Sequence, residues 1–357
     1  MPHPSWCPSE TQPRALCRAF LPVWLRDRWV NQRLCCRFAL ALVSPLALVA
    51  CEPLPTPPLK VGLSAWVGND PLVLAQEKQL MARREVKLIE LSSGSETLRN
   101  FRNGLLDAAA LTLDETLRLA DEGVDVKIVA VLGTSVGADL VMARESVAGL
   151  EQLKGKLIAV ERTTAGAVML RRLLQAAGLK EGELMVRHLE ASQHLEALLS
   201  RRVDAAVTYE PLAQTMREAG FHELFNSREA PGDIVSVLVV RPAGLAEHGR
   251  QVGELLAGWQ RGVQAVTRDP AAAAALLSRG TGLSPAEYQG TLSGLRLYSS
   301  EESLELLSGQ PIRLGQDAER LVLTMVDMGL IKDTPDWGKL VADVPALRAL
   351  QTQGERP

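Results

Sequence analysis

Two stretches, SETLRNFRNGLLDAAA (residues 95–110) and SQHLEALLSRRVDAAV (residues 192–207), decide the fold of this 357-residue chain. They align at a constant offset of 97, with serine, leucine and Asp-Ala-Ala at matching positions. In each stretch a short helix leads through a turn into a strand that Asp-Ala-Ala opens, and the small alanines let the helix pack closely. The repeat predicts two lobes, each built on a doubly wound α/β sheet. Chance similarity is the alternative, since Ala-rich turns are common.

The sequence around the repeat alternates between short apolar strands and helices from residue 60 to residue 208. This alternation predicts mainly parallel sheets that helices cover on both faces. After a strand at 234–240 the pattern is mostly helical, and we expect these helices to pack on the first lobe. We predict lobe 1 at 59–142 and 236–357 and lobe 2 at 143–235. The chain then crosses between the lobes twice, near 140–155 and near 232–240, which predicts a two-strand hinge and a ligand cleft.

The N-terminal region has the features of an export signal. An apolar run at 38–50 follows basic residues and ends in Leu48-Val49-Ala50-Cys51. The run is shorter than the ~20 residues that span a bilayer. The pattern resembles the lipobox of bacterial lipoproteins, which implies acylation of Cys51. We therefore expect a leader and signal peptide at 1–50, a proline-rich linker at 51–58, and a mature protein lipid-anchored to a membrane of the cell envelope, facing the periplasm or the exterior.

Composition excludes several classes of function. All five cysteines lie at or before Cys51, so the mature body has neither a disulfide framework nor a thiolate site. The net charge is −3, and residues 1–50 hold six arginines, so processing leaves a more acidic body. Without a basic stripe we expect no nucleic acid partner. The sequence also lacks the serine-hydrolase elbow, the zinc helix and the nucleotide-binding loops, so we predict no catalytic residue, metal or cofactor.

Polar side chains follow the predicted strands, where ligands meet open parallel sheets. Hydroxyls and free helix N–H groups can hold an oxyanion without a metal, and an indole can cover a flat ligand. Capping, packing or solvation is the alternative role of each residue. The candidate ligand-binding residues are Ser64, Trp66, Asn69, Ser93, Ser95, Thr112, Asp114, Ser135, Gly137, Arg162, Thr163, Thr164, Tyr209 and Glu210.

Six segments in this order resemble the periplasmic solute-binding proteins of ABC importers for nitrate, sulfonates, taurine and thiamine-pyrimidine precursors. They are WVGNDPL (66–72), FRNG (101–104) before Asp107-Ala108, GVDVKIV (123–129), SVGAD (135–139), LKGKLIAVE (153–161) and VDAAV (203–207). The resemblance covers residues 59–240. It implies a two-lobed type 2 periplasmic binding protein, a monomer that closes on its ligand and presents it to an ABC permease and its ATPase.

The resemblance also bears on the site. Ser64, Trp66, Ser93, Thr112, Ser135, Thr163 and Tyr209 match places where family members contact ligand. Residues 161–164 (ERTT) depart from the family's usual Glu-x-Gly-Thr turn. We expect a small, anionic solute of the sulfonate, nitrate or pyrimidine-precursor class. An envelope sensor or interaction module with this fold is an alternative, and so is an enzyme on the scaffold, like the cytosolic synthases of pyrimidine or menaquinone precursors.

Overall fold

Two mixed β-sheets flanked by helices make up residues 56–354, the part of the chain that the computed structural model describes. The predicted leader and the acylated Cys51 lie outside the described residues. The strands are β1 (Leu59–Ser64), β2 (Val86–Leu91), β3 (Ala108–Thr112), β4 (Lys127–Ser135), β5 (Asp139–Ala143), β6 (Leu157–Val160), β7 (Met185–His188), β8 (Ala205–Tyr209), β9 (His222–Asn226), β10 (Val235–Val240) and β11 (Leu295–Leu297).

Helices connect these strands and form most of the C-terminal third. They are α1 (Asp70–Glu77), α2 (Gly94–Arg102), α3 (Leu113–Asp121), α4 (Thr164–Ala177), α5 (His194–Leu199), α6 (Leu212–Glu218), α7 (Pro242–Glu247), α8 (Gly249–Arg268), α9 (Pro270–Leu277), α10 (Pro285–Leu292), α11 (Ser300–Leu307), α12 (Arg313–Asp317), α13 (Glu319–Asp327), α14 (Trp337–Leu340) and α15 (Val344–Gly354). No helix of the described residues combines the length and the apolar character that a membrane crossing requires.

The two sheets contain the same local unit, as the sequence repeat predicts. The first sheet has the order β11-β4-β10-β3-β1-β2, and the second has the order β7-β6-β8-β5-β9. In the first, Asp107 Oδ2 accepts a hydrogen bond from the Lys60 N–H at 2.8 Å. In the second, Asp204 Oδ2 accepts from the Leu157 N–H at 3.0 Å, again at an offset of 97. The strand register matches as well, so the repeat is structural and the chance alternative is wrong.

The chain crosses between the sheets from β4 to β5 and returns from β9 to β10. The strand β5 pairs with β8 and β9 in the second sheet, whereas the predicted boundary at 142 assigned most of it to the first lobe. Both β5 and β10 run antiparallel to their neighbours, so the sheets are mixed. Each of these two strands follows directly from a strand of the other sheet. A strand that is parallel to its neighbour needs a crossover connection, usually an α-helix, and neither of these two connections contains an α-helix.

The helices after β10 pack on the first sheet, as expected. Its core includes Trp259 of α8, Leu304 of α11 and Leu321 of α13, all buried. The second sheet has a separate apolar cluster in which Val141 packs with Leu173. Each sheet thus carries its own core, and Val168 of α4 packs into that of the first sheet.

Candidate functional site

A cavity of about 70 Å³ lies between the two sheets, at the ends of strands from both. This volume exceeds the ~10–15 Å³ that a cavity needs to hold a water molecule. The first sheet and its helices contribute Ser64, Trp66, Asn69, Gly94, Ala110, Leu111, Thr112, Glu115 and Ser236, and the segment between β9 and β10 contributes Ile234. The second contributes Asp139, Glu161, Thr163, Ala165, Gly166, Met169, Val207, Thr208 and Tyr209.

Three carboxyl groups give this cavity its electrostatic character. Glu115, Asp139 and Glu161 are buried, and among the described residues that line the cavity none is lysine, arginine or histidine. Burial is the main cause that raises the pKa of Asp139 to about 7 and the pKa of Glu115 to about 8. Burial likewise raises the pKa of Glu161. A low-polarity site that concentrates carboxyl groups favours positive charge or hydrogen-bond donors in whatever occupies it.

Several polar atoms at the cavity make no hydrogen bond to the described residues. They include one carboxyl oxygen of Asp139, the hydroxyls of Thr208 and Tyr209, and the indole N–H of Trp66. A buried polar group without a partner costs free energy, so such groups gather where a ligand completes them. The set combines acceptors on the carboxyl groups with donors on Trp66 and Tyr209. It therefore suits a solute that both donates and accepts hydrogen bonds.

Local sequence explains how two of the lining side chains are positioned. Thr112 and Glu115 form a capping box at the start of α3, and Glu115 Oε2 accepts from the Thr112 N–H at 3.1 Å. Gly68 lies against the Trp66 ring, where an added Cβ would stand 1.8 Å from a ring carbon. Only glycine leaves room for the indole in this position. The preceding backbone N–H of Thr112 thus holds Glu115, and the following glycine leaves space for the Trp66 ring.

The structure brings six of the predicted site residues to the cavity. They are Ser64, Trp66, Asn69, Thr112, Thr163 and Tyr209. All six come from the ends of strands or the first turns of helices, on both sides of the cavity. The rule that places ligands at the carboxyl ends of strands therefore leads to this cavity, and its role as a ligand site stays a prediction.

Ser135 and Gly137 do not line the cavity but tie the two chain crossings together. The Ser135 hydroxyl lies 2.8 Å from the Ser227 hydroxyl, and the Gly137 N–H donates to Ser227 Oγ at 2.7 Å. Gly137 has φ = +126°, and an added Cβ would stand 2.6 Å from the Arg228 guanidinium carbon. These two residues shape the connection between the sheets, and the cavity lies elsewhere.

The other predicted residues lie away from the cavity. Ser93 and Ser95 bond across to Glu190 and Glu161. Glu210 pairs with Arg217 at 2.5 Å and accepts from the Gln214 N–H. Arg162 is exposed and, with Thr164, lines a neighbouring groove. Asp114 is fully buried and does not reach the cavity surface.

Sequence reasoning missed the three carboxyl groups. Glu115 is the fourth residue of a Thr-x-x-Glu capping box, and Asp139 and Glu161 end two of the segments that carry the family resemblance. The capping box is a usable signal, but it does not reveal that the capping carboxyl also faces a cavity. Within residues 56–354, no group of three or more histidine, cysteine, aspartate or glutamate side chains has the arrangement of a metal site.

Comparison with known proteins identifies similar chains. Residues 52–279 match the model of the NMT1-like family. A protein of Brucella abortus (strain 2308), which is named as a binding protein without a stated ligand, is 28% identical over 264 residues, or 70% of this chain and 79% of the relative.

Solved structures share the fold. The alkanesulfonate-binding protein SsuA from Xanthomonas axonopodis pv. citri, bound to MOPS, has a TM-score of 0.69 at 19% identity and covers 82% of this chain and 99% of its own. The nitrate-binding protein NrtA from Synechocystis PCC 6803 has a TM-score of 0.64 at 14% identity and covers 84% and 89%. At these identities the likeness establishes the two-lobed α/β fold of periplasmic binding proteins.

Proposed function

This chain belongs to the NMT1-like family, and we propose that it is the solute-binding protein of an ABC importer. It captures a small solute between its lobes and delivers it to a membrane permease. The fold supports this role, since solved structures that share it include binding proteins for alkanesulfonates and nitrate. The cavity supports it as well, because both sheets line it and a bound solute would contact both.

The solute that we propose carries a positive charge or several N–H donors. One observation carries this choice: Glu115, Asp139 and Glu161 line the cavity without a basic side chain among the described lining residues. An anion placed there would raise the pKa values of these carboxyl groups further and would bind only while they keep their protons. A solute with positive charge or N–H donors instead binds their ionised form, and we propose it over the anionic solute expected from the sequence. Within the expected classes, an amino-substituted pyrimidine precursor fits these groups better than nitrate or a sulfonate.

Trp66 and Tyr209 complete the proposed recognition. The indole can lie against a flat ring, and its N–H and the Tyr209 hydroxyl can donate to a ring nitrogen or oxygen. The carboxyl groups would accept from the amino groups of the same ring. This division of donors and acceptors selects for shape and hydrogen bonding together, and a simple inorganic cation would leave the donors of Trp66 and Tyr209 without partners.

Capture requires that the lobes move relative to each other. We propose that the segments between β4 and β5 and between β9 and β10 are the hinge, with lobes at 59–138 plus 235–354 and at 139–226. The lipid anchor on Cys51, the envelope location and the monomeric state belong to the same proposal. Loss of membrane partition in Cys51→Ala would support the anchor, and unchanged partition would contradict it.

Isothermal titration of the purified full chain tests the solute class. Matched pairs separate charge from size: ethanolamine against isethionate, and 4-aminopyrimidine against pyrimidine-4-carboxylate. We expect the amino member of a pair to bind and its acidic counterpart not to bind. Asp139→Asn should remove the binding, and Glu145→Gln, a change at an exposed residue of the same lobe, should keep it. Binding of the acidic members alone would refute the proposed solute class.

A further inference from the structure

The N-terminus of α2 is occupied by two carboxylates from the opposite lobe. Ser93 Oγ and Ser95 Oγ donate to Glu190 Oε2 at 2.7 and 2.6 Å. The Ser95 N–H donates to Glu161 Oε1 at 2.8 Å. Ser93, Ser95 and Glu161 are buried, whereas the Glu190 side chain is partly exposed. These contacts, which we name the clasp, join a helix of the first sheet to residues that follow β6 and β7 of the second.

The repeat explains why these particular residues meet. Ser93 and Glu190 are separated by 97 residues, the offset that relates the two lobes, so each occupies the same position in its own unit. Residues at equivalent positions of the two units are therefore in direct contact. The first unit presents a serine and free helix N–H groups there, and the second presents a carboxylate. The two halves of the repeat have therefore become complementary to each other at their meeting point.

The clasp also uses the groups that would otherwise receive an anion. A helix N-terminus offers N–H groups and positive potential, and a carboxylate is a strong acceptor for both. Here Glu161 and Glu190 fill that position from within the chain. Arg99 adds a contact at 3.4 Å to the other oxygen of Glu190. An anionic solute would have to displace these carboxylates before it could bind the helix.

Other contacts also join the lobes. The buried Asp233, in the segment between β9 and β10, pairs with Arg172 of α4 and with Arg320 of α13, and Glu190→Ala leaves these pairs in place. Arg171 of α4 pairs with Asp327 of α13 at 2.5 Å, but the Asp327 side chain is mostly exposed. An exposed ion pair contributes little because solvent and salt screen it. The buried hydroxyl and N–H donors of the clasp face less screening.

From this geometry we infer that the clasp of Glu161 and Glu190 on the N-terminus of α2 holds the lobes together without solute and excludes anions from that helix terminus. In the solute-free protein the closed form is then already populated. A solute with N–H donors stabilises it further from the neighbouring cavity. This inference rests on the two-lobed capture proposed above. It adds that the clasp restricts which solutes can bind and that it forms even when no solute is present.

Distances between spin labels in the solute-free full chain test the clasp. Leu105 and Leu199 are 59% and 54% exposed, lie in different lobes, and can each be replaced by a ketone-bearing amino acid that accepts a label without using cysteine. We expect a population at short distance in the parent chain. Glu190→Ala should lower the ratio of closed to open molecules by about tenfold, the effect of losing a charge-assisted hydrogen bond.

Two further variants sharpen this test. Ser95→Ala removes one side-chain donor of the clasp from the other lobe, and combined with Glu190→Ala it should add less than its own effect. Glu196→Gln is the matched control, since Glu196 is exposed in the same lobe and its side chain makes no hydrogen bond among the described residues. A parent chain without the short distance, or a Glu190→Ala distribution equal to that of the control, would overturn the inference.

The spin-label distances test the clasp independently of the proposed solute class. The distances are measured without solute, so a failure to bind amino compounds would leave the clasp result standing. Conversely, binding of amino compounds together with an unchanged distance distribution in Glu190→Ala would support the proposed function and contradict the inference about the clasp.

Discussion

Replacing Asp139 by asparagine should change how the stability of the solute-free protein depends on pH. Burial raises the pKa of this carboxyl from its ordinary value of 3.8 to about 7. Between these values the folded chain keeps a proton that the unfolded chain has already lost. The free energy of unfolding therefore falls as pH rises from about 4 to about 7, by at most about 4 kcal/mol for this one group. Below that window both states hold the proton and the group contributes nothing.

Asparagine is similar in size and has no proton to lose. The difference in free energy of unfolding, Asp139→Asn minus wild type, should therefore grow by up to about 4 kcal/mol from pH 4 to pH 8. Equilibrium denaturation by urea at several pH values measures it. Asp125→Asn, at an exposed position, is the control and should give a constant difference. If the Asp139→Asn and control differences run parallel across this range, the burial argument for the site is refuted.

Three other changes give separate tests. As pH rises toward 7, affinity for a permanently charged quaternary amine should increase by up to about tenfold per pH unit, because binding favours the charged form of Asp139 and releases its proton. Calorimetry in buffers of different ionisation enthalpy would show the release, and an affinity that does not change with pH would contradict it. Tyr209→Phe should weaken solute binding by about 1 kcal/mol without loss of stability, because the hydroxyl has no partner among the described residues; lowered thermal stability with unchanged affinity would show a structural role instead. Gly137→Ala should cost about 1–3 kcal/mol of stability because φ = +126° is a backbone conformation that residues with a Cβ rarely adopt. Gly104→Ala, at φ = +75°, lies nearer the left-handed helical region and should cost less, and equal losses would contradict this explanation.

Much of the fold could be predicted from the sequence because its strands are short apolar runs between clear helix signals. The predicted strand at 234–240 agrees to within one residue with the observed Val235–Val240, and the helical pattern expected after it corresponds to α7 to α15. The strand His222–Asn226 was missed because its residues are mostly polar, as is usual at the edge of a sheet. The strand Leu295–Leu297 was missed because three residues give no pattern. The first crossing was misplaced because the sequence of β5 does not reveal which sheet it joins.

The site could be predicted only in part, for a physical reason. Position at the end of a strand brings a residue to the correct edge, and this was enough for Ser64 and Tyr209. It does not say whether a hydroxyl faces the cavity or bonds to the other lobe, as Ser95 does. Nor does a capping pattern show that Glu115 serves a cavity as well as a helix. Those distinctions depend on how the two sheets face each other, and that arrangement is set by contacts distant in sequence.

Identification of the solute that the protein carries tests the central claim most directly. The full chain would be purified without added ligand from cells grown in rich medium, denatured, and its released small molecules analysed by mass spectrometry against a Glu115→Gln and Asp139→Asn double variant. We predict an enriched small molecule with a basic or amino nitrogen, absent from the double variant. Enrichment of a sulfonate, nitrate or another purely anionic solute in both proteins would contradict the assignment of the carboxyl-lined cavity as the binding site.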